Sequence, residues 1–391
     1  MISTSNQKVF ANSRRSFLRG ALSTSALLMA TRPSSSVIAF AQERRFAPVK
    51  VSPNRIIREV VGLRPFRAPG FVVAAERMGR KLLVHNYGHG GAGVTLSWGT
   101  ASLAVDLIRD FIQSSPRPNV RRRINAGRFG VIGCGVSGLS TALLLQRRYQ
   151  DGPGTVTIYA KDLPPETTSN IAGAHWSPTL VYEPQRATSL FTDQFAAACK
   201  TSHRAFQNLV SNEYGVRWIE TLELLRHEAS LGREMPGGAD LYPNTVVHRD
   251  PERYFGFPFV RHFNTMLIEP AVYLRALLRD FYVAGGKLIV KDFRSREEIA
   301  RLPETIVFNC TGLGARALFD DQELVPVRGQ LVVLLPQPEI DYCYLGGGYM
   351  FPRRDGIILG GTWDHDDWSL TPNPEQTTEI IETHAQIMQA S

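Results

Sequence analysis

Apolar positions along the chain fall into short runs and periodic stretches that mark two kinds of element. Residues 55–61 and 71–75 read as short strands around a turn carrying Arg64, Pro65 and Pro69, and 81–85 reads as a third strand. A glycine-rich turn follows at 88–93. After it comes a helix from about 95 to 112, in which Ala101, Ala104, Leu107, Ile108 and Phe111 recur at helical spacing. The stretch 114–128 has two prolines, five arginines and no apolar face, so it reads as a linker.

At 129 the character changes. A strand over 129–132 runs into Gly133-x-Gly135-x-x-Gly138, a helix continues to about Tyr149, and a second strand follows at 156–159. Residues 179–268 alternate helices and short strands. Helix is predicted over 270–284, strands over 287–290 and 305–309, several strands with glycine turns over 330–363, and a closing helix over 374–389. A chain of 391 residues with this order is long enough for an α/β nucleotide-binding domain plus a second lobe.

Charge changes this picture mainly at the N-terminus. The net charge is +8, but Lys8, Arg14, Arg15, Arg19 and Arg32 supply five of those charges, and no acid lies within 1–41. Arg121, Arg122, Arg123 and Arg128 add a further basic cluster in the linker. The body is therefore close to neutral, which removes the basis for a nucleic-acid partner. The N-terminal residues have a twin arginine in 13–19, a modest apolar stretch from Ala21 to Ala30, and Ala39-Phe40-Ala41. This is the pattern of a Tat-type signal peptide over 1–41, with cleavage expected before Gln42. It predicts passage through the Tat export machinery and a periplasmic or extracellular location. The apolar run is too short for a membrane span. The cysteines are Cys134, Cys199, Cys310 and Cys343; two of them fall inside nucleotide-binding motifs, so free thiols are expected. No Cys or His spacing suits a metal.

Two motifs carry the chemistry. The 133–138 glycines allow a tight turn and close approach of the backbone to a pyrophosphate, and the helix behind them offers unpaired N–H groups and a positive dipole end. In its strand–turn–helix setting the motif points to dinucleotide binding; the alternative is a turn whose glycines serve packing alone. The second motif, His85 to Gly99 (HNYGHGGAGVTLSWG), lines up backbone amides just before a helix, a nest that favours negative charge.

With these motifs the chain resembles the D-amino-acid oxidase and D-aspartate oxidase family. The resemblance rests on VGLRPFR (61–67), HNYGHGGAGVTLSWG (85–99), VIGCGVSGLSTA (131–142), TTSNIAGAHWSP (167–178), NCTGLGAR (309–316), VRGQ (327–330) and YMFPRRDGIILGGTWD (349–364). It implies FAD as cofactor and an α/β fold: a Rossmann-type FAD-binding domain plus an α+β substrate domain with a large mixed sheet. The order of pieces differs from the family's, in which the GxGxxG strand comes first and the HNYGHGG segment last. The expectation is therefore a circularly permuted D-amino-acid oxidase fold. Residues 42–113 are the family's C-terminal part and 114–128 the basic linker. Residues 129–178 and 269–330 form the FAD-binding domain with 65–113. Residues 179–268 and 331–391 form the substrate domain with 42–64. Fifteen linker residues reach at most about 50 Å, ample for neighbouring surface termini.

The family's roles transfer position by position. Arg64 matches the arginine that clamps the substrate carboxylate, a task suited to the paired N–H groups of a guanidinium. Tyr349 matches a tyrosine that also meets that carboxylate, and Gly91 the glycine whose carbonyl receives the amine. Gly90, Gly91, Ala92, Gly93, Val94 and Thr95 match positions holding the flavin ring, whose reduced form carries negative charge. Gly133, Gly135, Val136, Ser137 and Gly138 match the pyrophosphate turn, and Lys161 and Asp162 stand at the ribose position. Thr167, Thr168 and Ser169 match the run beside the phosphates. Gly173, Ala174, Phe293, Thr311 and Gly312 complete the cofactor set. His175 and Trp176 are expected near the flavin face.

The resemblance implies hydride transfer from the α-carbon of a D-amino acid to flavin N5 without a general base. Reoxidation by O2 gives H2O2, and the imino acid hydrolyses to a 2-oxo acid and ammonia. An acidic substrate would call for a second arginine; none lies near Tyr342, with Arg353 and Arg354 as substitutes, and neutral D-amino acids are favoured. A D-aspartate or D-glutamate oxidase, a glycine or sarcosine oxidase, a quinone-reducing dehydrogenase and a non-catalytic flavoprotein remain as alternatives. Oligomeric state is not legible.

Overall fold

The computed structural model describes residues 45–114, 128–149, 156–173, 175–251 and 254–389. The expected signal over 1–41, residues 115–127 of the linker expected over 114–128, and Ala174 lie outside the described residues. The strands are β1 (Ile56–Arg67), β2 (Val72–Met78), β3 (Lys81–Tyr87), β4 (Phe129–Ile132), β5 (Val156–Ala160), β6 (Val216–Leu225), β7 (Val246–His248), β8 (Phe259–Ile268), β9 (Lys287–Val290), β10 (Ile306–Asn309), β11 (Leu324–Leu334), β12 (Tyr342–Leu345), β13 (Tyr349–Arg353), β14 (Gly356–Gly360) and β15 (Asp364–His365). The helices are α1 (Gly93–Ser114), α2 (Val136–Arg148), α3 (Thr168–Ile171), α4 (Ser189–Gln207), α5 (Pro270–Val283), α6 (Arg296–Ala300), α7 (Gly314–Phe319) and α8 (Pro374–Gln389).

Six strands form one sheet in the order β2-β3-β10-β4-β5-β9, parallel from β3 to β9. Every residue of β4, β5 and β10 is buried, as expected of central parallel strands covered on both faces. Successive connections leave β4 toward β5 on one side and β10 on the other. The switch point, where a ligand lodges in such sheets, is thus the carboxyl end of β4 and β10. Helices α1 and α4 cross closely at Gly99: a Cβ there would stand 2.1 Å from the Ala198 carbonyl oxygen.

The second sheet runs β1-β11-β14-β13-β12-β6-β8-β7, with β15 added beside β11. Side chains alternate across it with the two-residue period of a strand. Leu331, Val333, Cys343, Phe351 and Ile358 join one apolar cluster, while Val332, Leu334, Tyr342, Tyr344, Ile357 and Leu359 join the other, under α8 and residues 46–51. On β1 a register irregularity at Ile56–Arg58 shifts the parity, so Val60 belongs to the first cluster although Ile56 belongs to the second. Counting on by twos places Arg64 of β1, Gly329 of β11, Tyr349 of β13 and Gly360 of β14 on the same face.

Most expected elements coincide with those observed. The first strand is the exception: it does not stop at 61 but continues through Arg64 to Arg67, paired with β11 along its length. Pro65 faces Pro326 across this ladder. β1 is an edge strand, and the β11–β14 ladder covers only Leu331–Leu334, so neither missing N–H interrupts a central ladder. β11 lies in the nine-stranded sheet from Leu324 onward, across the boundary expected at 330. Residues 45–114 therefore serve both sheets, β1 in one and β2–β3 in the other. All four cysteines are free and buried.

Candidate active site

The site face of the large sheet is floored by glycine. A Cβ on Gly329 would lie 2.3 Å from Arg64 Nη1, and one on Gly360 2.5 Å from the Tyr349 hydroxyl. The absence of both side chains is what lets the guanidinium and the phenol lie flat across β11 and β14 and meet. Arg64 Nη2 donates to Tyr349 Oη at 3.4 Å, and Nη1 donates to the carbonyls of Arg328 (3.3 Å) and Thr362 (3.4 Å). The Trp363 ring centroid lies 5.3 Å from Arg64 Cζ. Among the described residues no carboxylate pairs with Arg64. A half-buried guanidinium held only by carbonyls, a phenol and an indole keeps a full positive charge for an incoming anion.

Tyr349, Phe351 and His175 stack in sequence, with centroids 4.9 Å and 5.1 Å apart. His175 Nε2 meets Thr221 Oγ1 at 3.0 Å, and burial lowers its imidazole to about 3, so it is neutral. Trp176 is fully buried in the core, edge-on to His203 and Tyr242. It does not line an open face. Gly173 lies under Phe351, and a Cβ on it would also stand 3.6 Å from the Tyr349 ring.

Gly90 and Gly91 form a turn locked by the 177–183 segment. The Gly91 N–H donates to the Leu180 carbonyl at 2.9 Å, and a Cβ on Gly90 would stand 2.1 Å from that oxygen. Gly90 holds φ +55°, open to glycine at little cost. The Phe66 ring, two residues along β1 from Arg64 and on its face, packs against Gly90. Ala92, Val94 and Thr95 are buried, Gly93 opens α1, and Thr95 Oγ1 donates to the Ser177 carbonyl at 3.2 Å.

The remaining side chains of this motif tie it to the nucleotide sheet. His85 Nδ1 meets Asn309 Nδ2 (3.0 Å), the Asn86 amide donates to Thr141 Oγ1 (3.1 Å), and Tyr87 donates to Asp321 (2.8 Å). His89 Nε2 meets Asn86 Oδ1 at 3.0 Å and its Nδ1 meets Ser137 at 3.4 Å. Burial brings the His89 imidazole down to about 4, so it too is neutral.

At the switch point Gly133 holds φ +111°, and its N–H donates to the Tyr159 carbonyl at 2.8 Å. Gly135 caps α2 without a side chain, and the Val136 N–H donates to Ser169 Oγ at 3.0 Å. The Ser169 hydroxyl, accepting here, still has its own proton to donate. Thr311 is held through Asn309 Oδ1, and Gly312 at φ +57° has open space beyond its Cα. Lys161 and Asp162 are exposed at the end of β5, 3.5 Å apart. Thr167 is buried, Thr168 exposed, and the Phe293 side chain turns into an apolar cluster against Tyr159. A helix start with glycine as its N-cap, beside further glycines and the Ser169 hydroxyl at the switch point, fits the pyrophosphate of FAD.

Sequence reasoning did not single out the floor glycines 329 and 360, nor Leu180, Trp363 and His365. A glycine inside an otherwise apolar strand was the available signal for the first two. Arg353 is no free recognition group: it is bidentate on Asp355 (2.8 and 2.6 Å) and donates to the Ala172 carbonyl at 3.0 Å. Burial pushes the Asp355 carboxyl up, but Arg353 and Arg58 outweigh it and leave it below the usual range. Arg354 is exposed and bonded to Asn212.

Residues 128–390 match the FAD dependent oxidoreductase family. The chain belongs to this family, and FAD is its cofactor. Among curated relatives it is 32% identical over 269 residues to a D-amino-acid oxidase of Rubrobacter xylanophilus, covering 67% of this chain and 77% of that one. A D-amino acid oxidase of Dugesia ryukyuensis is 28% identical over 262 residues (64% and 74% covered). The human D-aspartate oxidase is 27% identical over 269 residues (66% and 75% covered).

Proposed function

We propose that this protein is a D-amino-acid oxidase that converts neutral D-amino acids, O2 and water to 2-oxo acids, ammonia and H2O2. The observation that carries this reading is Arg64, a half-buried guanidinium with no carboxylate partner among the described residues, beside the Tyr349 hydroxyl. Arg64 would take the substrate carboxylate through paired N–H groups, and the Tyr349 hydroxyl would donate to the same group. The Gly91 carbonyl would receive the amine. Bound FAD supplies the acceptor for the hydride leaving the α-carbon and is returned to its oxidised form by O2. His89 and His175 are buried, neutral and already hydrogen-bonded, which leaves catalysis to orientation and electrostatics. The engagement of Arg353 by Asp355 supports neutral over acidic substrates. The test is a panel of D- and L-amino acids mixed anaerobically with the purified flavoprotein. Neutral D-amino acids should bleach the flavin, L-isomers should not, and air should then yield H2O2. A flavin left oxidised by every D-amino acid would end this reading.

We also propose that the chain is a circular permutation of its family's fold. Three features support it: the family match begins at 128, residues 45–114 lie outside it, and those residues nonetheless supply strands to both sheets. The Val49 N–H also lies 3.1 Å from Met388 Sδ, so the two ends of the described chain are neighbours. A chain rearranged to start at 128, with 45–114 joined behind 389, should fold and take up FAD as the present order does. Failure of that chain to bind FAD would count against the permutation.

A further inference from the structure

The Trp363 ring reaches Arg64, and the His365 side chain reaches Trp363. The turn after β14 carries Thr362, Trp363, Asp364 and His365. Thr362 offers its carbonyl to Arg64 Nη1, and its hydroxyl accepts the Gln330 N–H at 2.7 Å. The Trp363 ring faces the guanidinium at 5.3 Å. Its indole N–H donates to His365 Nε2 at 2.6 Å. Phe66 meets both rings edge-on, at 5.9 Å and 5.5 Å. Arg64 thus meets both the backbone of β11 and an indole whose N–H is bonded to an exposed imidazole.

We infer that His365 and Trp363 are positioning residues for Arg64: His365, accepting from the indole N–H, orients the indole, and the indole holds the guanidinium ready for the substrate carboxylate. This deepens the reading of Arg64 as the carboxylate clamp and rests on it. An indole N–H only donates, and an imidazole nitrogen accepts only while unprotonated. A protonated His365 would present N–H to N–H, release the indole and add a second cation near Arg64.

Next to His365 along the chain stand Asp364, Asp366 and Asp367; β11, which pairs with it at Val327, carries Arg328, and Arg64 of β1 meets its partner Trp363. Asp364 and Asp367 are engaged by the buried Arg328 at 3.1 and 3.7 Å, and Asp366 accepts from the Trp368 indole at 3.2 Å. Arg328 also donates to Gln330 and to the Thr371 carbonyl. The backbone of the turn is therefore held independently of His365, and losing the imidazole should free the indole without unfolding the turn.

The experiment uses the flavin-loaded enzyme and a neutral D-amino acid that it oxidises. KM and kcat are measured at about pH 8 and about pH 5, the span over which an imidazole ordinarily changes charge. Trp363→Ala and His365→Ala should raise KM at the higher pH roughly tenfold, with kcat within about twofold, as loss of a cation–π contact to the binding group would. His365→Gln presents an amide oxygen that accepts at both values. It should keep the parent KM at the higher pH and lose the parent's rise in KM at the lower one. An unchanged KM in Trp363→Ala, or the same acid-side rise in His365→Gln, overturns the proposal. Failure of the oxidase reading looks different: the parent flavin would stay oxidised with every D-amino acid. Flavin absorbance and melting temperature report that each variant is folded.

Discussion

Arg64→Ala should lower kcat/KM for D-amino acids by about 10²–10⁴-fold while the protein stays yellow, because two charge-assisted hydrogen bonds to the carboxylate disappear together with the orientation they impose. Arg64 touches Tyr349, Thr362, Trp363 and the backbone of β11, none of them a residue assigned to the nucleotide. Flavin content and substrate turnover should therefore separate cleanly in this variant. Gly329→Ala sharpens the test without removing the charge. The new methyl would occupy the place of the guanidinium, 2.3 Å from Nη1, and the flexible end of Arg64 would move aside. That variant should fold, bind FAD and lose most of its substrate affinity. Parent-like kinetics in Arg64→Ala, measured by flavin reduction in a stopped-flow mixer, would remove Arg64 from the site.

The second large effect is expected at Gly138. Its Cα faces the Gly133 carbonyl so closely that a Cβ would stand 2.0 Å from the oxygen and 2.9 Å from the carbon. Both are backbone atoms, and Gly133 is itself anchored to Tyr159 and held at φ +111°. Relief therefore requires α2 to withdraw from the turn, taking with it the N–H groups of its first turn, which would face a bound pyrophosphate. Gly138→Ala should be purified with little or no flavin and melt several degrees lower, in line with an overpacking cost of about 1–3 kcal/mol. Gly232→Ala is the control, since a Cβ there meets nothing within 4 Å. A yellow Gly138→Ala protein with the parent melting temperature would show that the turn tolerates the methyl group.

Much of the nucleotide half was legible because its signals are local. The 133–138 glycines, the strand before them and the helix after them are consecutive, and each observed boundary falls close to its expected place. The pairing of Arg64 with Tyr349 was accessible only through resemblance, since 285 positions separate them. The extent of β1 was misjudged for a physical reason: proline discourages a strand in isolation, but an edge strand opposite another proline loses little by it. Phe293 shows the opposite limit. Its match to the family placed it with the cofactor set, but the direction of its ring depends on tertiary packing: the ring is buried against Tyr159, which leaves only its backbone for a ligand.

Two kinds of information divide this chain. Periodicity, turn glycines and motif strings established which strands and helices form and which residues carry charge, because these depend on a few neighbours along the chain. Two things depended on packing between distant segments. One was the shared parity of Arg64, Gly329, Tyr349 and Gly360 on one face of the large sheet, set by register and by the irregularity near Arg58. The other was the joining of His89 to Ser137 and of Asn86 to Thr141 across the two motifs. Register and long-range hydrogen bonds carry no local signature, so only the folded chain shows that the guanidinium rests on bare backbone, faces an indole and, among the described residues, has no carboxylate beside it.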